Sequence, residues 1–410
     1  MTDNRYRRLP VGIQSFKVIR EENYLYVDKS DIVWNMVNLG DKYNYLSRPR
    51  RFGKSVLVDT LESYLEGRKD LFEGLKIMQL EKDWKHYPVI RLDMSRGGAN
   101  EETLRSYLNL RFKDYEEKYN ITPDPTAMLA DRFHAIIATA YKQTGLRVAV
   151  LIDEYDSPLQ HSWRTPEHEK CTGVYREVFA ILKADDEYEH FVFITGITKF
   201  TQISLFSVLN NLSNISFTPE YAAICGITEE EIEENFIPEI RQMSEANNWS
   251  MQETHDRLKA YYDGYHFSRR NMVDVYNPYS LVNALKSKEI INFWASSGAT
   301  SLLPKFVDNA ELRISNFENI RIMRNTLELS DVSGGGAELF LYQSGYLTIK
   351  ESDEFGYILG FPNEEVKQAL YEMVLPALTL REKSDIQSIQ ANLYAQLGTG
   401  QIDEAMGDDW

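Results

Sequence analysis

The chain has 410 residues, 43% of them hydrophobic and 12% aromatic, and a formal net charge of −17. That length exceeds one ordinary core and predicts two or three globular domains rather than a disordered segment. The acidity argues against non-specific coating of nucleic acid, which needs a broad basic surface, and fits a role in solubility.

Two cysteines, Cys171 and Cys225, have no metal-ligand spacing and fit a reducing, cytoplasmic compartment. The first residues carry no apolar signal region, and no run is long and apolar enough to span a bilayer, so no membrane partner is expected.

Residues 1–30 read as an N-terminal arm with a short strand, followed by a helix from about Ser30 to Leu39. Asp28 and Lys29 fit either a contact to a base or ribose or a salt bridge at the helix start. Residues 43–47 form the first core strand. The loop after it ends in Gly53-Lys54-Ser55, and Val56, Leu57, Leu61, Tyr64 and Leu65 then recur at helical spacing as far as a stop at Gly67. Strand, loop, Gly-Lys-Ser and helix is the layout of a phosphate-binding loop. A helix N-terminus offers unpaired N–H groups and a positive dipole end. Lys54 would reach the β- and γ-phosphates, and the Ser55 hydroxyl would ligate Mg²⁺. The usual first glycine of such a loop is absent, since Arg48 and Pro49 stand there. Either the loop takes a different path or the Arg48 guanidinium takes part in phosphate binding.

Pro88–Met94 reads as a second strand, with helices near 101–119 and 126–144. Arg147–Asp153 is an apolar run ending in Asp153-Glu154-Tyr155-Asp156, the pattern of a strand buried on both faces with carboxylates at its C-terminal end. Ligands bind at that edge of an open α/β sheet. Asp153 would hold Mg²⁺ and Glu154 would polarise the attacking water. The next strand is Phe191–Thr195, and Thr195, Thr198 and Lys199 after it are candidates for sensing the γ-phosphate. Asn214–Thr218 is a last short strand, giving five core strands in a parallel doubly wound sheet. Thr228–Glu231 is a capping box. Residues 228–310 read as helical, with aromatic loops at Tyr261–Phe267 and Val275–Ser280 that form either a lid over the nucleotide or a domain interface. A helix at 337–344 and a hairpin turning at Asp353–Gly356 suggest a winged-helix module. With two Lys, no Arg and six acidic residues across 337–370, it reads as a packing module rather than a DNA reader. Residues 364–395 look helical, and the polar stretch 398–410 is expected to fray.

Ser47-Arg-Pro-Arg-Arg-Phe-Gly-Lys-Ser55 closely resembles the variant phosphate loop of bacterial AAA-ATPase-like proteins, P-loop NTPases in which an arginine replaces the first loop glycine. Further matching pieces are Leu9–Ile13, Tyr26–Lys29, Leu151–Asp156, Thr195–Lys199, Tyr262–Tyr265, Tyr276–Pro278, Gly345–Leu347 and Phe361–Val366. The resemblance spans roughly residues 9–380. It implies the additional-strand, catalytic-glutamate class of P-loop core, ATP and Mg²⁺ as ligands, and an ATPase switch; the alternative is a nucleotide-binding scaffold that hydrolyses little. The site carried over comprises Arg48, Pro49, Arg50, Arg51, Phe52, Gly53, Lys54, Ser55, Val56, Asp153 and Lys199 for nucleotide, Ser55 and Asp153 for metal, and Glu154 and Lys54 for catalysis. Expected divisions are an NTPase domain at 1–225, a helical lid-like domain at 226–320 and a winged-helix-like module with C-terminal helices at 321–410. Such proteins usually continue into a nuclease-like domain of the PD-(D/E)XK type, whose motif is not found after residue 370. Given the acidic charge, nucleic acid is not an expected partner of this chain alone, and the sequence leaves an oligomer or a protein partner open.

Overall fold

The computed structural model describes residues 7–124, 126–200, 211–296, 317–329 and 336–379. Five strands, β1 (Tyr43–Ser47), β2 (Val89–Asp93), β3 (Val148–Asp153), β4 (Glu189–Gly196) and β5 (Ser213–Asn214), form one parallel sheet in the order β2-β3-β4-β1-β5. β4 therefore separates the strand before the phosphate loop from the strand that ends in acid. The register aligns Ser47 with Gly196, Ile152 with Ile194 and Asp93 with Asp153. The carboxyl ends of four strands thus meet along one edge, and every candidate loop leaves from there.

β3 exists because Val148–Ile152 are apolar and largely β-branched, and all six of its residues are buried. Helices cover both faces, among them α3 (Lys54–Leu65), α4 (Glu101–Lys118) and α5 (Leu129–Thr144). α4 also closes the β2 edge, where the Arg91 N–H donates to the Tyr115 hydroxyl at 2.7 Å. β5 is shorter than the sequence suggests. The Asn214 side chain accepts from Ser216 N–H and turns the chain into a 3₁₀ segment, Ile215–Phe217.

The N-terminal arm is tied back by two shorter helices, α1 (Phe16–Glu21) and α2 (Ser30–Asn38). Asp59 on α3 accepts from Phe16 N–H at 2.6 Å and from the Ser15 hydroxyl at 3.2 Å. Beyond the sheet, α6 (Glu229–Asn235), α7 (Ile237–Asn247), α8 (Met251–Tyr262) and α9 (Pro278–Ser287) bury a core of their own, which Leu25 of the arm joins. α6 starts with the expected capping box: Thr228 accepts from Glu231 N–H, and the Glu231 side chain accepts from Thr228 N–H.

A second, antiparallel sheet follows in the order β6-β8-β7, built from β6 (Ile320–Met323), β7 (Thr348–Ser352) and β8 (Gly356–Gly360). α10 (Arg324–Leu329) and α11 (Gly336–Ser344) precede its hairpin, and α12 (Glu364–Thr379) follows it. The hairpin turns at Asp353, whose Oδ1 accepts from Phe355 and Gly356 N–H at 2.9 Å each. β6, a four-residue strand on the outer edge, escapes sequence reading. The hydrophobic cluster of the parallel sheet runs without a break into this sheet, through Tyr346, Ile349 and Leu359. Among the described residues no helix is long and apolar enough to cross a membrane. The expected helix beyond Thr379, the tail 398–410 and the end of the helical stretch at 297–310 lie outside the described residues.

Lys29 does not pair with Asp28. Its ammonium reaches both Glu231 carboxylate oxygens at 2.7 and 2.8 Å, so one glutamate caps α6 and neutralises a buried lysine on the arm. Asp28 instead accepts from Ser30 and Lys76 N–H. Replacing Glu231 with Ala removes both roles, and urea unfolding should show a loss of about 2–3 kcal/mol.

Candidate functional site

Gly53 is the N-cap of α3 and takes φ +84, so the helix begins immediately after a left-handed turn. A Cβ there would meet nothing within 4 Å, so glycine is required by backbone conformation and not by space. The second left-handed residue of the loop is Arg51, at φ +70, whereas Arg48 is not left-handed. The absence of glycine at position 48 follows from that: the loop makes its reversal three residues later.

Lys54, the first residue of α3, is 6% exposed, and its ammonium donates to the carbonyls of Arg48 and Pro49 at 2.9 Å each. Burial holds its pKa below the ordinary lysine value, while the carboxylates of Glu154, Asp153 and Asp156 oppose that shift. Ser55, at the start of α3, favours the charged form of the buried Asp153 carboxyl at the end of β3. Burial pushes the Asp153 and Glu154 carboxyls upward, and the Lys54 charge opposes both shifts. Glu154 takes φ +47, a conformation rarely adopted by a residue of that shape.

Arg50, Arg51, Phe52, Gly53, Lys54, Ser55, Val56 and Glu154 line one open cavity of about 450 Å³. That volume lies within the roughly 300–1,000 Å³ of small-molecule sites. Asp153 is buried at the end of β3, next to Glu154. A serine hydroxyl and an aspartate carboxylate are hard oxygen donors of the kind that bind Mg²⁺ with water and phosphate.

Three expected nucleotide contacts lie elsewhere. The Arg48 guanidinium, 1% exposed, donates to the carbonyls of Ser47, Ser216 and Tyr221 at 2.8–2.9 Å and stacks 4.1 Å from the Phe267 ring centre. Of the two paths considered for this loop, it takes the one without a phosphate-facing arginine at 48. Pro49 is pressed against Gly345, where a Cβ would stand 2.6 Å from the proline ring. Lys199 points toward the antiparallel sheet, its ammonium donating to the Glu328 carbonyl at 3.1 Å and its N–H to Gln343 at 3.2 Å. Arg48, Pro49 and Lys199 all border a separate cavity of about 20 Å³.

The sequence reading missed the opposite wall. Gly12, Ile13 and Gln14 of the arm, Cys225 and Ile227, and Tyr279, Val282 and Asn283 of α9 complete the cavity. Gly12 (φ +75) and Gly226 (φ +102) carry a local signal, since both sit in short apolar runs. The two aromatic stretches divide their roles. Tyr265 and Phe267 pack edge-on against Phe52 at 4.7 and 5.4 Å as an interface, whereas Pro278 and Tyr279 face the cavity.

The family model described as Predicted AAA-ATPase matches residues 10–206. An uncharacterized protein in the vnfD 5′ region of Azotobacter chroococcum mcd 1 is 32% identical over 398 residues, covering 93% of this chain and 74% of that protein. Among solved structures, the Orc1 protein of Aeropyrum pernix, determined in complex with DNA, is 13% identical with a TM-score of 0.26 and covers 83% of this chain and 89% of that one. Cdc6p of Pyrobaculum aerophilum is 12% identical with a TM-score of 0.24, covering 92% and 97%. At these scores neither structural likeness identifies the fold.

A carboxyl whose pKa is raised by folding binds more protons folded than unfolded, so stability falls as pH rises from the unfolded pKa through the folded one. Glu154→Gln should therefore resist urea better than the parent at pH 8. The gap should narrow as pH falls toward the ordinary glutamate range, which denaturation midpoints across pH will test.

Proposed function

We propose, on the premise that the chain belongs to the predicted AAA-ATPase family, that it binds ATP with Mg²⁺ in the cavity between the phosphate loop and the end of β3 and hydrolyses it. The observation that carries this reading is that Gly53, Lys54, Ser55 and Glu154 line one cavity. The first turn of α3 supplies N–H donors and its dipole to the phosphates, and Lys54 a point charge. Glu154 stands across the cavity as the group that polarises the attacking water. Mg²⁺ would be held by Ser55 and Asp153, and when bound it neutralises charge on the β- and γ-phosphate oxygens.

The nucleotide would also act as a switch. Tyr279, Val282 and Asn283 attach one wall of the cavity to the helical core, so closure on ligand moves α9. Lys199 connects the loop after β4 to Gln343 on α11 and Glu328 on α10, and Thr198 before it is held by Asp156. We read α11 with its hairpin as a winged-helix-like packing module that responds to that connection. An effector would receive the signal.

ATP with Mg²⁺ should raise the thermal midpoint of the parent, by a stabilisation of about 2.7 kcal/mol at a hundredfold excess over Kd, and Lys54→Ala should abolish the shift. Glu154→Gln should retain the shift and lose phosphate release. Binding without release in the parent would replace the hydrolytic reading with that of a nucleotide-binding scaffold.

A further inference from the structure

Arg48 carries a buried charge for which the described residues supply no counter-charge. Its guanidinium is 1% exposed, and its hydrogen bonds go to the carbonyls of Ser47, Ser216 and Tyr221 rather than to a carboxylate. Its face rests 4.1 Å from the Phe267 ring centre. Carbonyl dipoles and a ring face relieve part of the cost of burying a charge, and they do not neutralise it. The titratable groups that act on it are Cys225 and Tyr342, and burial keeps that thiol and that phenol protonated. One N–H of the guanidinium, at Nε, is buried with no hydrogen-bond partner. An orphaned donor of this kind is uncommon in a protein interior.

Arg48 lines the separate cavity of about 20 Å³, together with Lys199, Glu328 and, from α11, Tyr342 and Gln343. A space of that size admits one particle of the size of a water molecule or a chloride ion, and no phosphate or carboxylate.

The lining decides between those two occupants. Gln343 spends its side-chain oxygen on the Lys199 N–H at 3.2 Å, so its amide N–H₂ is what it has left to offer. The Glu328 carbonyl takes the Lys199 ammonium at 3.1 Å and Asn214 Nδ2 at 3.4 Å, and the Ser216 hydroxyl oxygen takes the Ser47 N–H at 2.8 Å. The lining thus has two cations, Arg48 and Lys199, and one acid, Glu328. That acid is already engaged by Arg324 at 2.9 Å and by the Tyr357 hydroxyl. Donors and positive charge are in excess. A water molecule would satisfy a donor and leave the charge, whereas an anion answers both.

We propose that this cavity is a halide site that takes one chloride ion beside Arg48 and Lys199, and that the ion fastens the base of the phosphate loop to α11. Phe217, Phe267 and Leu327 make part of the wall apolar, and a low-dielectric wall strengthens the attraction between an ion and the guanidinium. The loop carbonyls of Arg48 and Pro49 hold the Lys54 ammonium, so the ion would steady the loop from the side opposite to its ligand. The site does not depend on whether the chain hydrolyses ATP.

The test uses the full chain in sodium chloride, sodium bromide and sodium gluconate at equal ionic strength. The thermal midpoint should rise along a saturating curve in chloride and in bromide. It should stay flat in gluconate, which is too large for the cavity. Lys199→Met leaves the three carbonyl contacts of Arg48 in place and should raise the half-saturating chloride concentration about tenfold. Crystals grown in bromide should show an anomalous scattering peak inside this cavity. Equal midpoints in the three salts overturn the proposal, as does a rise that gluconate reproduces. So does a half-saturation that Lys199→Met leaves unchanged, or bromide crystals with no peak in the cavity. A peak without saturable stabilisation in solution means binding at crystal concentration only and overturns it as well.

Discussion

A buried ammonium needs acceptors, and in this protein the loop before the helix provides them. The Lys54 ammonium takes the carbonyls of Arg48 and Pro49, six and five residues back, and so folds the loop into a closed turn over the helix N-terminus. The closure needs left-handed residues at Arg51 and Gly53, free of strain at the glycine and costing backbone strain at Arg51. The same carbonyl side of the chain is anchored from outside by the Arg48 guanidinium, which joins Ser47 to Ser216 and Tyr221. Two cations with different duties thus build the loop. Arg48 is structural and faces away from the cavity, and Lys54 is structural until an anion competes for it.

The strand order gives that loop its counterpart. Because β4 lies between β1 and β3, the acid at the end of β3 stands across a strand's width from the loop, which leaves a crevice between them. The residues after Asp153 then turn back over β4. Tyr155 N–H donates to the Thr195 carbonyl, its hydroxyl donates to the Thr198 carbonyl and accepts from Phe200 N–H, and Asp156 takes the Ile197 and Thr198 N–H groups. Asp153, Glu154, Tyr155 and Asp156 therefore do four different things. They cap the strand end through the Asp153 carboxylate, face the cavity, pin the next loop through the Tyr155 hydroxyl and gather its N–H groups on Asp156. The pinned loop continues to Lys199, whose contacts to α10 and α11 join the cavity's edge to the antiparallel sheet through packed, hydrogen-bonded matter.

How much of this could be read from sequence follows from how local each signal is. β3 and β4 were legible because each is an apolar run long enough for its own period to show, and Gly53-Lys54-Ser55 because a helix N-terminus has a local chemistry. The destination of Arg48 was not legible. Its carbonyl partners are 168 and 173 residues away, and nothing in Ser47–Lys54 names them. The arm was visible as a piece of chain, but its place against the phosphate loop depends on Asp59 receiving Phe16 N–H across 43 residues. β5 reads too long in the sequence and β6 does not show at all, for the opposite reason. Each is too short for periodicity, and in β5 a single Asn214 side chain competes with the ladder for the backbone.

The electrostatic balance of the site points the same way as its geometry. Lys54 is held below the ordinary lysine value and Arg50 below the ordinary arginine value, while Asp153 and Glu154 are held above the ordinary carboxylate values, all of them chiefly by burial. Every member is therefore less content in its charged form than it would be in water, and the cations and acids only partly relieve one another. A bound polyphosphate would change that inequality for the cations, and a divalent ion would change it for the acids. Each would do so from the side of the cavity that its partners face. Ligand binding would then relieve a cost already present in the fold, which is the condition for a site whose occupancy, rather than its sequence alone, decides how firmly the surrounding loops are held.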